Sequence, residues 1–85
     1  MVRTQVEVKP DLWAQSKSVA EFIQKASEYK SSIWMEKDGK RANAKSMLGI
    51  LALNITESTS ISLIADGVDE EIAVKVLGEY ISSNA

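Results

Sequence analysis

The run Val2-Arg3-Thr4-Gln5-Val6-Glu7-Val8 alternates residue by residue between apolar or β-branched and polar or charged side chains. A strand sends successive side chains to opposite faces, so Val2, Thr4, Val6 and Val8 share one face and Arg3, Gln5 and Glu7 the other. Such a strand is half-buried. The sheet that contains it packs helices on one face and leaves the other to water. Pro10, the only proline, has no N–H to give to a ladder, so the strand ends before it.

After a loop through Pro10-Asp11-Leu12-Trp13-Ala14-Gln15, in which Trp13 reads as a lid over the first helix, the period changes. Val19, Phe22, Ile23 and Ala26 recur at helical spacing from about Ser16 or Ser18 to about Tyr29, and Ser18 with Glu21 has capping-box spacing. Two short strands, Ile33 to Glu36 and about Lys40 to Asn43, flank Asp38-Gly39, a dipeptide suited to a tight hairpin. Ser46 is placed to cap a helix through Met47 to Leu53, with Asn54 ending it in the left-handed conformation. Ser60 to Ala65 alternates again and Gly67 closes that strand. Asp69 can cap a last helix whose first turn carries Glu70 and Glu71 and whose buried stripe is Ala73, Val76, Leu77, Tyr80 and Ile81. Residues 82–85 are expected to fray. The order β-α-β-β-α-β-α gives an α+β fold: an open-faced β-sandwich with a four-stranded antiparallel sheet and three helices on one face, one domain over residues 1–85.

Composition narrows the function. A 45% hydrophobic and 26% charged chain is globular, but with no Cys and no His it must be stabilised by packing alone. The same two absences remove the common general base, the thiolate nucleophile and most transition-metal sites, so the expectation is no enzyme, no metal and no cofactor. Ten Lys and Arg against twelve Asp and Glu leave a net charge of −2, the wrong sign for direct nucleic-acid binding. Without a long apolar run or a signal-peptide core the chain reads as cytoplasmic and not membrane-bound. No glycine-rich phosphate loop is present, Ser16-Lys17-Ser18 reads as a helix start, and Glu70-Glu71 suit a first helical turn without any metal.

Two features remain. A hydroxyl at a helix start, Ser46, is where an added phosphate would meet unpaired N–H groups, with Lys45 and Lys17 adding positive charge; its ordinary reading is a cap. Behind it Met47, Leu48, Ile50, Leu51 and Leu53 make a short helix apolar nearly all round, so part of it is exposed and suits a partner. Trp34 faces away from the helices if Ile33 and Met35 face them; it serves either a partner contact or cross-strand packing.

The stretches Lys37-Asp38-Gly39-Lys40 and Asn43-Ala44-Lys45-Ser46-Met47-Leu48-Gly49, with the late first helix and Ala65-Asp66-Gly67-Val68-Asp69-Glu70, resemble the HPr family of the bacterial phosphotransferase system. Nearly the whole chain takes part in the resemblance. It implies that Gln15 stands where the family has its phosphoryl-carrying histidine, Lys17 at the family arginine and Ser18 at its proline. A carboxamide is not nucleophilic enough to form a phosphoramidate, so no catalytic relay is expected. Ser46 falls at the family's regulatory serine. Glutamine for histidine beside a retained serine is similar to the catabolite repression HPr-like (Crh) branch. The resemblance therefore implies phosphorylation of Ser46 by HPr kinase/phosphorylase, and binding to a catabolite control protein-type transcription factor in carbon catabolite repression. Met47, Leu48, Leu51, Lys17 and Lys45 would then form the partner surface. The other reading is a degenerate paralogue that docks Enzyme I or permease domains without being phosphorylated. A homodimer through Trp34 and the sheet edge is left open.

Overall fold

The structure, a computed structural model, describes residues 1–8, 16–53 and 59–83, with backbone alone at 16–18, 59 and 83. Its elements are β1 (Val2–Val8), α1 (Ser16–Ser27), β2 (Ser32–Lys37), β3 (Lys40–Asn43), α2 (Met47–Ala52), β4 (Thr59–Asp66) and α3 (Glu70–Ser83), in the expected order. Trp13, Gln15 and Asn54 lie outside the described residues, as do positions 84 and 85.

The four strands make one antiparallel sheet in the order β1-β4-β2-β3, so the last strand in sequence sits between the first and second. Alternation does what strand geometry requires: Val6, Val8, Ile33, Met35, Ile61 and Leu63 are buried on the helix side. Phe22, Ala26, Leu77 and Ile81 close over them from α1 and α3. The stripe on α3 is shifted from its expected spacing: Val74 is buried, alongside Val6 of β1, with Ala73, Leu77 and Ile81, whereas Val76 and Tyr80 are only half-buried. Asp38 and Gly39 have φ of 51° and 79°, the pair of positive values that a two-residue hairpin turn of the I′ type needs.

Helix ends differ from expectation: α2 stops at Ala52 with Leu53 as its cap, and α3 runs on to Ser83. Helix α1 ends at Ser27, not Tyr29, because the chain tightens there: the Glu28 and Tyr29 N–H groups donate to the carbonyls of Lys25 and Ala26, three residues back. The helix is already formed at Ser16, which places Ser18 inside its first turn and not at a cap.

The outer face of the sheet is not bare. Ile64, on the side away from the helices, is fully buried between Arg3 of β1 and Trp34 of β2, its neighbours across the ladder. Arg3 reaches diagonally over β4 to Glu36 at 3.1 Å, and Arg41 of β3 meets the other oxygen of Glu36 at 3.4 Å. The Arg41 guanidinium also lies 5.5 Å from the Trp34 ring centre. The Arg3 hydrogen bond, more than the charges alone, holds the Glu36 carboxyl below its ordinary pKa. Trp34, half-buried, makes the cross-strand packing that was one of its two readings.

Candidate functional site

The Asn43 to Gly49 segment turns the end of β3 into α2, and each polar residue has a local task. Asn43 Oδ1 accepts the Lys45 N–H at 2.8 Å, an Asx-type turn, and the Asn43 carbonyl accepts the Ser46 N–H at 3.0 Å. Ser46 then takes an extended conformation, φ −117° and ψ 118°, and its Oγ accepts the Gly49 N–H at 3.2 Å while its carbonyl accepts the Ile50 N–H. That is an N-cap, as the sequence predicts. Gly49 contributes its N–H to the cap, and a Cβ there would make ordinary van der Waals contact, 3.4 Å from Ala42 Cβ and 3.5 Å from the Asn43 carbonyl. Loss of the cap in Ser46→Ala is expected to cost about 1 kcal/mol, read as a lower urea midpoint with an unchanged slope.

Only one side of α2 is spent on the core. Ile50 is fully buried and Leu53, which caps the helix end, nearly so, whereas Leu48 is 81% exposed, Leu51 56% and Met47 38%. These three side chains adjoin Ser46 in sequence and form an apolar surface that the fold does not use. Lys45 also has a structural task. Its Nζ donates to the Tyr29 carbonyl at 2.8 Å, so it fastens the turn after α1 to the start of α2, with two of its three donors left for other work. Lys17 falls in the first turn of α1, and its side chain lies outside the described residues.

Sequence reading missed the cross-link beside this segment. Asp69 opens α3 through its carbonyl, which accepts the Ala73 N–H, but its carboxylate turns to the α1–β2 turn. Oδ2 accepts the Lys30 N–H at 2.8 Å, and Oδ1 accepts both the Ser31 N–H at 2.9 Å and the Ser31 hydroxyl at 2.5 Å. The Ser31 hydroxyl, followed by the Lys30 N–H, holds the Asp69 carboxyl down to about 2. Glu70, in turn, accepts the Gly67 N–H at 3.1 Å and pairs with the Met1 amine, which lowers its pKa, the Gly67 bond contributing most. The expected cap at Asp69 is therefore a tie between segments 38 residues apart. No spacing rule links such positions. Ser31 is buried and its hydroxyl serves an acceptor that is ionised at neutral pH and far too weak a base to activate it, so this pair offers neither a nucleophile nor a base.

The model of the PTS HPr component phosphorylation site matches residues 2–83. The HPr-like protein Crh of Bacillus subtilis is 40% identical over 95% of this chain and 95% of its own length. Crh of Halalkalibacterium halodurans is 43% identical over 95% and 96%. Among solved structures, HPr of Thermoanaerobacter tengcongensis superposes with a TM-score of 0.89 at 40% identity, covering 95% of this chain and 91% of that one. Crh of Bacillus subtilis, solved as a dimer with a swapped domain, superposes with a TM-score of 0.74 at 40% identity over 79% and 77%. With the fold, the capped Asn43 to Gly49 turn and a match over almost its full length in agreement, the chain belongs to the HPr family of the phosphotransferase system, a family of phosphocarrier proteins and not of enzymes.

Proposed function

We propose that this HPr-family chain is a regulatory member that carries no phosphoryl group on histidine and is switched by phosphorylation of Ser46. The observation that carries the reading is a hydroxyl at a well-formed cap directly beside unused apolar surface, Met47, Leu48 and Leu51. HPr kinase would move the γ-phosphoryl of ATP to Ser46 Oγ, forming the O–P bond, releasing ADP and taking up the hydroxyl proton. Phosphate oxygens can accept the Gly49 N–H in place of the hydroxyl, so the modification keeps the cap and adds charge at the rim of the apolar patch. A transcriptional regulator of the catabolite control protein type would read both features together. Gln15 supports the same reading, because its carboxamide offers no imidazole nitrogen for a phosphoramidate.

Titration of a catabolite control protein with the Ser46-phosphorylated chain tests this. Binding should appear only after phosphorylation and weaken at least tenfold in Leu48→Ala, since Leu48 has no core contact to lose. Binding of Enzyme I or a permease domain that ignores both Ser46→Ala and the kinase would instead favour an unphosphorylated competitor of phosphotransferase partners.

A further inference from the structure

We propose that the cleft between the α1–β2 turn and the end of β3 binds a small oxyanion, the head of a phosphate monoester. The cleft holds about 200 Å³ and is lined by Lys30, Ser32, Trp34, Asn43 and Lys45 over a floor of Ser31 and Ile33. Its polar lining is made of donors. Lys30 and Lys45 bring two ammonium groups, Ser32 an exposed hydroxyl and Trp34 an indole N–H. Asn43 has its Oδ1 occupied by the Lys45 N–H, so what it has left to offer is the two hydrogens of Nδ2. No carboxylate lines the cleft among the described residues, in a chain whose net charge is −2.

The arrangement is held before any ligand arrives. Lys45 is half-buried and pinned at the Tyr29 carbonyl, leaving two N–H donors. The Lys30–Ser31 backbone is clamped by Asp69, whose charge is engaged by the Lys30 and Ser31 N–H groups and the Ser31 hydroxyl. Trp34 is steadied by the Arg41 guanidinium over its ring. A lining rich in donor-bearing residues on fixed supports, with a tryptophan among them, suits a dianion of three or four oxygens attached to a small organic group. Ser46 takes no part in the lining, so this site is separate from the proposed switch.

The test is a two-dimensional amide NMR titration of the full chain with inorganic phosphate, glycerol 3-phosphate, and sodium chloride at matched ionic strength. The site predicts saturable shifts at Lys30, Ser32, Asn43, Lys45 and the Trp34 indole, with α3 unmoved and no such response to chloride. Equal midpoints for the two phosphates assign the site to free phosphate, and a lower midpoint for the ester assigns it to a phosphorylated metabolite. Lys30→Gln, which keeps the backbone N–H that Asp69 holds, should raise the midpoint about 3- to 10-fold, the scale of one charge-assisted hydrogen bond. Linear shifts spread over all exposed lysines, the same shifts with chloride, or an unchanged midpoint in Lys30→Gln would overturn the proposal.

Discussion

Gly67→Ala should be the most damaging conservative substitution in the chain, lowering stability by about 3 kcal/mol. A Cβ at position 67 would stand 2.6 Å from both Ser31 Cα and Ser31 Oγ, closer than a Cβ comes to non-bonded atoms in folded proteins. One of those atoms is backbone, so no side-chain rotation relieves the overlap, and overpacking of this kind costs on the order of 1–3 kcal/mol before secondary losses. Here the secondary loss is specific. Pushing Ser31 away draws its N–H and hydroxyl from Asp69, opening the tie between the start of α3 and the turn before β2. Urea denaturation followed by far-ultraviolet circular dichroism would show the shift. Gly39→Ala is the useful contrast, since nothing lies within 4 Å of its Cβ and only the left-handed turn conformation is penalised.

Removing the Asp69 carboxylate should change how stability depends on acid. Its pKa is near 2 in the folded chain against 3.8 for a free side chain. A depressed folded-state pKa means that the unfolded chain takes up the proton first, so the stabilisation is complete above about pH 4 and lost as pH falls toward 2. Glu36 and Glu70 are shifted in the same direction, by Arg3 and by the Gly67 N–H, so their contributions also decline as pH falls below the ordinary carboxylate range. Asp69→Asn keeps the size of the side chain and one carbonyl acceptor but has no charge to titrate. It should be less stable than the parent at pH 7, and its urea midpoint should fall less between pH 4 and pH 2. Parallel declines in the two proteins would show that Asp69 does not carry the acid response.

What could be read before the structure was what short-range chemistry determines. Alternation in β1 and β4, the Asp38-Gly39 turn and the Ser46 cap each depend on residues within a few positions, and each formed where expected. The sheet order was not readable in this way, because placing β4 between β1 and β2 is a long-range choice. The same limit hid the tie from Asp69 to Ser31 and the contact of Lys45 with the Tyr29 carbonyl. In both, a side chain that suits a local cap or a charge cluster is used instead to join distant backbone. Ile64 shows a third kind of miss. It occupies the solvent side of an alternating strand, and only the Arg3–Glu36–Arg41 lattice beside Trp34 explains why it is buried.

For the candidate site, the sequence supplied the motif and its resemblance, and the structure supplied the reason for the motif's residues. Asn43 and Ser46 form one capped turn, closed by the backbone N–H of residue 49, so these two positions have a structural explanation that holds with or without modification. The regulatory reading therefore rests on chemistry at the Ser46 hydroxyl and on the exposed Leu48 and Leu51.

The most direct measurement is intact mass of the chain after incubation with HPr kinase and ATP, run beside Ser46→Ala. The account predicts a gain of one phosphoryl group on the parent and none on the variant. No gain on the parent, or an equal gain on Ser46→Ala, would contradict a switch at Ser46.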